Sequence, residues 1–138
     1  MKTVNPTRES ISALGRIPGD TPIVMVNLLR FRDMAAYPPG SSFEECTGRQ
    51  AYRRYMEQVA KPLGEVGAKA VWLSRVLACV IAPEDEQWDQ VLLVRYPSVD
   101  AFLAMIRIPA YLAASVHREA ALEDSRLIAT AETMSGLE

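Results

Sequence analysis

Apolar residues recur along this chain with two different periods, and the switches between them lay out its elements. From Ile23 to Phe31 the run Ile-Val-Met-Val-Asn-Leu-Leu-Arg-Phe is β-rich and almost wholly apolar, as expected of a strand covered on both faces. Over Gly48 to Val66 the period changes. Ala51, Tyr52, Tyr55, Met56, Val59, Ala60 and Leu63 fall at i, i+3, i+4 spacing, which predicts an amphipathic helix. Pro62 is expected to kink or shorten its last turn, and Gly67 to close it. Ala68 to Ala82 then reads as one long strand ending at Pro83, and Glu84-Asp85-Glu86 as a solvated turn. A strand over Trp88 to Tyr96 follows closely enough to form a hairpin with it. Ser98 caps a helix predicted over Val99 to Ile108. Pro109 breaks it, a second helical segment follows over Ala110 to Leu122, and a last strand spans Ser125 to Thr130.

Two segments fall outside this alternation. Residues 1–22 hold a short leader helix that Thr7 can cap and Pro18-Gly19-Asp20 stops. Arg32 to Thr47 carries Pro38-Pro39-Gly40-Ser41-Ser42 and no stable period, so it is a long surface loop. The main domain is therefore assigned to residues 23–130, with a tail over 131–138. Its order β-α-β-β-α-β predicts an α+β, ferredoxin-like plait: an antiparallel sheet with helices on one face only. In the first strand, Val24, Val26 and Leu28 alternate with Met25, Asn27, Leu29 and Phe31, so both faces are apolar. Leaving one face in water would forgo roughly 1.5 to 3 kcal/mol for each side chain that could be buried. A twofold homodimer, sheet to sheet, answers that need.

Composition narrows the function classes. At 138 residues the chain makes one domain, and 49% apolar with 23% charged residues is the balance of an ordinary globule. Fifteen basic against seventeen acidic residues leave a charge of −2, so no overall field favours nucleic acid. The longest apolar run, Val76 to Ala82, is far below the roughly 20 residues of a membrane-spanning helix. The first residues lack the apolar stretch of a signal peptide, and Cys46 and Cys79 have no pairing pattern, so a reducing cytoplasm is the expected compartment. The only histidine, His117, excludes metal sites built on several histidines. No glycine-rich phosphate loop or nucleophile elbow occurs, and we assign neither metal nor cofactor.

A few polar residues remain as candidate chemistry. Asn27 is an amide inside an apolar strand and must find partners or cost about 1 to 3 kcal/mol. It either satisfies neighbouring backbone or orients a ligand carbonyl or oxyanion in the lumen between sheet and helices. Arg95 shares a strand face with Val91 and Leu93. It forms either a salt bridge to a carboxylate such as Asp124 or a fork for an anionic ligand. Tyr111 and Arg118, seven residues apart, share one stripe of the second helical segment, with His117 rotated about 100° from Arg118. His117 is either a packing residue or a general base. Trp72 either lines the lumen or sits in the core with its N–H bonded locally.

Several of these residues lie in stretches that look familiar. Met25-Val26-Asn27-Leu28-Leu29-Arg30-Phe31, Tyr52-x-x-Tyr55, Val94-Arg95-Tyr96-Pro97-Ser98, and Pro109-Ala110-Tyr111 leading to His117-Arg118 resemble the domain-of-unknown-function 1330 family over roughly residues 23–130. The resemblance implies a dimeric α+β barrel, a superfamily that also holds antibiotic-biosynthesis monooxygenases, muconolactone isomerases and EthD-like proteins. Arg95 departs from the commoner acidic residue at its position. The expectation is a homodimer binding a small polar or anionic molecule in its lumen, with or without metal-free acid/base catalysis. In the catalytic version Asn27 and His117 act on the substrate and Arg95, Arg118, Tyr111 and Trp72 hold it. In the alternative, a non-catalytic ligand-binding or interaction module, those polar residues only staple helix to sheet.

Overall fold

Near-continuous hydrophobicity makes Ile23–Phe31 (β1) a central strand. In the computed structural model, which describes residues 1–133, β1 lies between Gln90–Tyr96 (β3) and Leu122–Thr130 (β4), with Lys69–Arg75 (β2) at the edge beyond β3. The order is β2-β3-β1-β4 and every pairing is antiparallel. Helices Arg8–Gly15 (α1), Gly48–Glu65 (α2), Val99–Met105 (α3) and Pro109–Ala121 (α4) complete the chain. This is the ferredoxin-like α+β plait the element order predicts. Of the tail assigned to 131–138, residues 134–138 lie outside the described residues.

Register divides the sheet into two unlike faces. Met25, Asn27 and Leu29 stand opposite Val94, Leu92 and Gln90. On this face Ile23, Met25, Leu29, Leu92, Val94 and Tyr96 share one core with Tyr52, Tyr55 and Val59 of α2 and Ala114 and Ala121 of α4. Val24, Val26 and Leu28 point the other way, opposite Arg95, Leu93 and Val91 on one side and Thr130, Ile128 and Arg126 on the other. Trp72 pairs with Leu93 on that second face. Among the described residues no helix covers it, and Trp72 is 59% exposed.

Local chemistry fixes the helix ends. Thr47 and Gln50 form a reciprocal capping box at the start of α2. Gly48 follows because a Cβ there would run into the carbonyl oxygens of Arg32 and Ala121. The helix is not shortened at Pro62 but continues to Glu65, since a proline this late removes a single helical hydrogen bond. Gly67, at φ +77°, closes the helix as expected. The expected helix over Val99 to Ile108 ends at Met105, and α4 leaves it at 80°. No single helix among the described residues is long and apolar enough to cross a membrane.

The largest departure is the strand expected over Ala68 to Ala82, which stops at Arg75. Its partner gives the reason: Arg75 pairs with Gln90, the first residue of β3, and the pairing runs out one bond later, where Val76 N–H donates to the Asp89 carbonyl (2.9 Å). Residues 76–82 instead form an arm on which Leu77, Val80 and Ile81 are 85%, 89% and 96% exposed and Cys79 is exposed with them. At the other edge, β4 starts at Leu122 rather than Ser125, directly from the end of α4. The N-terminal segment lies along its start, with Thr3 N–H donating to Asp124 Oδ1 (2.9 Å) and Ser125 N–H to the Thr3 carbonyl (2.7 Å).

Candidate functional site

The space between sheet and helices is not completely filled. A cavity of about 110 Å³ remains, lined by Asn27 and Leu92 from the sheet, Tyr52 and Tyr55 from α2, and Tyr111 and Arg118 from α4, with Asn5 and Pro6 of the N-terminal segment beside it. Tyr111 and Arg118 arrive together because they share a helical stripe, as their spacing predicts. Asn27 is held by its own sheet. Its Nδ2 donates to the carbonyls of Leu92 (3.1 Å) and Met25 (3.4 Å), while Oδ1 has no partner among the described residues. With both amide hydrogens directed to backbone, Asn27 meets a ligand as an acceptor. The expected role of orienting a carbonyl or oxyanion would need a donor.

Two charged side chains of α4, Arg118 and Glu119, reach this cavity, and they are placed differently. Arg118 is half-buried and its Nη1 donates to the carbonyl of Val4 at 2.6 Å, yet no carboxylate among the described residues pairs with it. Glu119, also at the cavity, is exposed and forms no such pair. Three of the surrounding phenols are kept neutral by burial. Burial pushes the Tyr52 hydroxyl up to about 12, partly offset by Arg118, and burial likewise drives Tyr55 well above its ordinary value and raises Tyr96. Tyr52, Tyr55 and Tyr96 therefore remain protonated near neutral pH and do not act as bases there.

His117 is not at this cavity, contrary to the expected proton shuttle beside Asn27. It is one residue from Arg118, which turns it to another side of α4, where it is 3% exposed. Its Nδ1 lies 2.7 Å from the Tyr37 hydroxyl and its Nε2 3.1 Å from the Gln58 side-chain amide. Tyr37 and Phe43, both from the long 32–47 loop, meet the imidazole edge-on at 5.5 and 4.9 Å between centroids. Arg54 donates to the Tyr37 hydroxyl (3.1 Å) and to the Glu44 carbonyl (3.3 Å). Burial, and then the Arg54 charge, lower the His117 pKa from its ordinary value, which favours the neutral ring. The cluster ties the loop down onto α2 and α4.

Arg95 and Trp72 are also elsewhere, on the open face of the sheet. Arg95 reaches Glu132 at 3.7 Å, with both side chains largely in solvent. The suggested partner Asp124 is already taken by Arg126 (2.6 Å) and by the Thr3 N–H. Burial alone would raise the Asp124 pKa, but the Thr3 N–H and Arg126 outweigh it and hold the carboxyl below its usual range. So Asn27, Tyr111 and Arg118 converge, whereas His117, Arg95 and Trp72 do not join them. Among the described residues no group of three or more His, Cys, Asp or Glu side chains is placed to hold a metal. Sequence reasoning missed Asn5 and Pro6, which no pattern marks. It also missed Tyr37, Phe43, Arg54 and Gln58, whose one visible signal was two aromatic residues in a long loop without a period.

Comparison with known proteins places this geometry in context. The model of a family described as a domain of unknown function (DUF1330) matches residues 41–131. The RPA0582 protein of Rhodopseudomonas palustris, itself of unknown function, is 40% identical with a TM-score of 0.89, over 97% of this chain and 99% of that one. A dimeric protein of unknown function with a ferredoxin-like fold from Bacteroides fragilis is 11% identical (TM-score 0.53, 83% of this chain and 100% of that one). A hydroxynitrile lyase from Passiflora edulis is 9% identical (TM-score 0.53, 84% and 97%). The last two share the fold alone. No curated protein matches the sequence.

Proposed function

The chain belongs to the domain-of-unknown-function 1330 family, and from that premise we propose that it is a homodimer in which each subunit binds a small polar or anionic organic molecule in its lumen. One observation carries the ligand: the Arg118 guanidinium, half-buried at the cavity, meets a backbone carbonyl but no carboxylate among the described residues. A cation removed from water without a counter-charge is costly, and a bound anion would supply that charge with charge-assisted hydrogen bonds. Tyr111 can donate from its hydroxyl on the same stripe, and Asn27 Oδ1 can accept from a hydroxyl or amine of the ligand.

Binding without turnover is the version the geometry favours. The sole histidine is committed to Tyr37 and Gln58 outside the lumen, and Tyr52, Tyr55 and Tyr96 stay protonated there. The dimer is supported by the open sheet face, where Val24, Val26, Leu28, Leu93, Ile128 and Trp72 form an apolar patch. The Bacteroides fragilis protein of the same fold is itself dimeric. On this reading Trp72 belongs to the interface and not to the ligand. The two unpaired cysteines, one buried and one exposed, fit a reducing cytoplasm.

Native mass spectrometry of freshly purified protein tests both parts. The expected spectrum is a dimer carrying a defined extra mass, which is absent in Arg118→Gln. A monomer at micromolar concentration would overturn the assembly. An extra mass that persists in Arg118→Gln would overturn the ligand site.

A further inference from the structure

We propose that the lumen ligand is an amphipathic monoanion, its head group on Arg118 and its apolar body in a second cavity beneath the leader helix. The inference rests on the lumen-site reading and gives that ligand a chemical class. The second cavity, of about 500 Å³, lies between α1 and β4. Its size falls in the range of small-molecule pockets, about 300 to 1,000 Å³. It shares Met25, Phe102, Leu127 and Arg118 with the lumen cavity, so the two spaces meet. Asn5 and Pro6, the other shared residues, are uncharged, which leaves Arg118 as the one charged side chain at the junction.

The leader is built as a strap. At one end Thr3 is bonded to Asp124 and Ser125. At the other, Asp100 N–H donates to the Gly19 carbonyl (3.0 Å) and Val99 N–H to the Thr21 carbonyl (2.9 Å). Between these anchors α1 buries no residue. Leu14 packs against the edge of the core, and with Ile11 and Ile17 it lines the cavity opposite Leu127 and Ala129 of β4. An eight-residue helix is marginal on its own and ordinarily depends on packing an apolar face. Here that face only partly meets the core and borders a cavity where, among the described residues, the one charge without a counter-charge is positive. The other arginine lining the void, Arg126, is already paired with Asp124. An apolar chain or ring with a single carboxylate or sulfonate head satisfies both features. A cation meets the wrong charge, and a neutral oil leaves Arg118 unpaired.

The test is isothermal titration calorimetry of the full chain with acetate, hexanoate and decanoate, repeated on Arg118→Gln, Arg118→Lys and Ile11→Asp. Decanoate is expected to saturate at one per subunit, with affinity rising up to about fourfold per added methylene. Arg118→Gln should weaken it about tenfold or more and Arg118→Lys less. Ile11→Asp, at a half-buried position of a helix that buries no residue, should weaken decanoate but not acetate, with circular dichroism confirming that the variant is folded. If acetate binds as tightly as decanoate and through Arg118, the amphipathic inference falls while the lumen site stands. If none of the three anions binds, both fall. Decanoate binding that ignores Ile11→Asp and Arg118→Gln is surface adsorption and overturns the inference. So does dissociation of a dimer by Ile11→Asp without decanoate binding, which would make a second copy the occupant.

Discussion

His117 and Arg118 are adjacent in α4, yet their surroundings could hardly differ more. On the His117 side the helix is sealed: the imidazole is buried, both ring nitrogens have partners, and two aromatic rings from the 32–47 loop close over it. On the Arg118 side the helix faces a cavity, and the guanidinium contacts one carbonyl. A residue whose hydrogen-bonding capacity is used up within the fold contributes to stability. One left with unused donors beside open space is available to a ligand. Residue type pointed in the opposite direction, since histidine is the commoner catalyst.

Substitutions on the two sides sharpen this contrast, starting with the largest effect. His117→Ala should lower unfolding free energy by about 2 to 4 kcal/mol, since it opens a void under the loop and removes the ring that bonds Tyr37 and packs against Phe43. It should leave anion affinity nearly unchanged, and urea titration alongside calorimetry checks both. A loss below about 1 kcal/mol would mean that the loop is not tied down through this residue. Tyr37→Phe removes only the hydroxyl that joins His117 to Arg54, so a loss of about 1 to 2 kcal/mol is expected by the same titration.

The pH dependence follows from the direction of the His117 shift. Its folded pKa lies below the ordinary 6.5, so between the two values the unfolded chain binds more protons. The His117 contribution is complete above about 6.5 and is lost as pH falls through the folded value, with a slope of at most about 1.4 kcal/mol per pH unit. Denaturation midpoints between pH 7.5 and 5 should show this decline, and His117→Gln should flatten it. Asp124 and Glu123, also shifted down, act in a more acidic window below their ordinary 3.8 and 4.5, where the histidine variant should still lose stability. Arg118→Gln should be the mildest change, within about 1 kcal/mol of the parent. A large destabilisation there, with no change in anion binding, would make Arg118 a staple of the same kind as His117 and erase the contrast.

Much of the fold could be read from periodicity. The two-sided apolar run of β1 and the helical spacing over Gly48 to Val66 each mark an element by side chains that repeat in register with the backbone. The arm at 76–82 shows where such reading stops. Val76, Leu77, Val80 and Ile81 have strand-forming character, but a strand also needs a neighbour, and β3 begins too late to provide one. The site was legible in half. Spacing alone placed Tyr111 and Arg118 together, and alternation grouped Asn27 with Met25 and Leu29, which proved to be the side the helices cover. The face of α4 that holds His117 depended on where an aperiodic loop settles, which no local period encodes. Likewise, alternation set Arg95 apart from its neighbours Val94 and Tyr96, but not which face of the sheet the helices would cover.

The exposed arm has a practical consequence for how assembly is measured. Of the two cysteines, Cys46 is buried and Cys79 stands in solvent among apolar neighbours. In air two such thiols on separate molecules can couple into a disulfide, producing a covalent pair that owes nothing to the sheet face. Subunit counts therefore belong to samples kept reduced or to Cys79→Ser. The same accessibility gives one reactive thiol per chain for attaching a dye, so that energy transfer between two labelled chains would report which faces meet in a dimer.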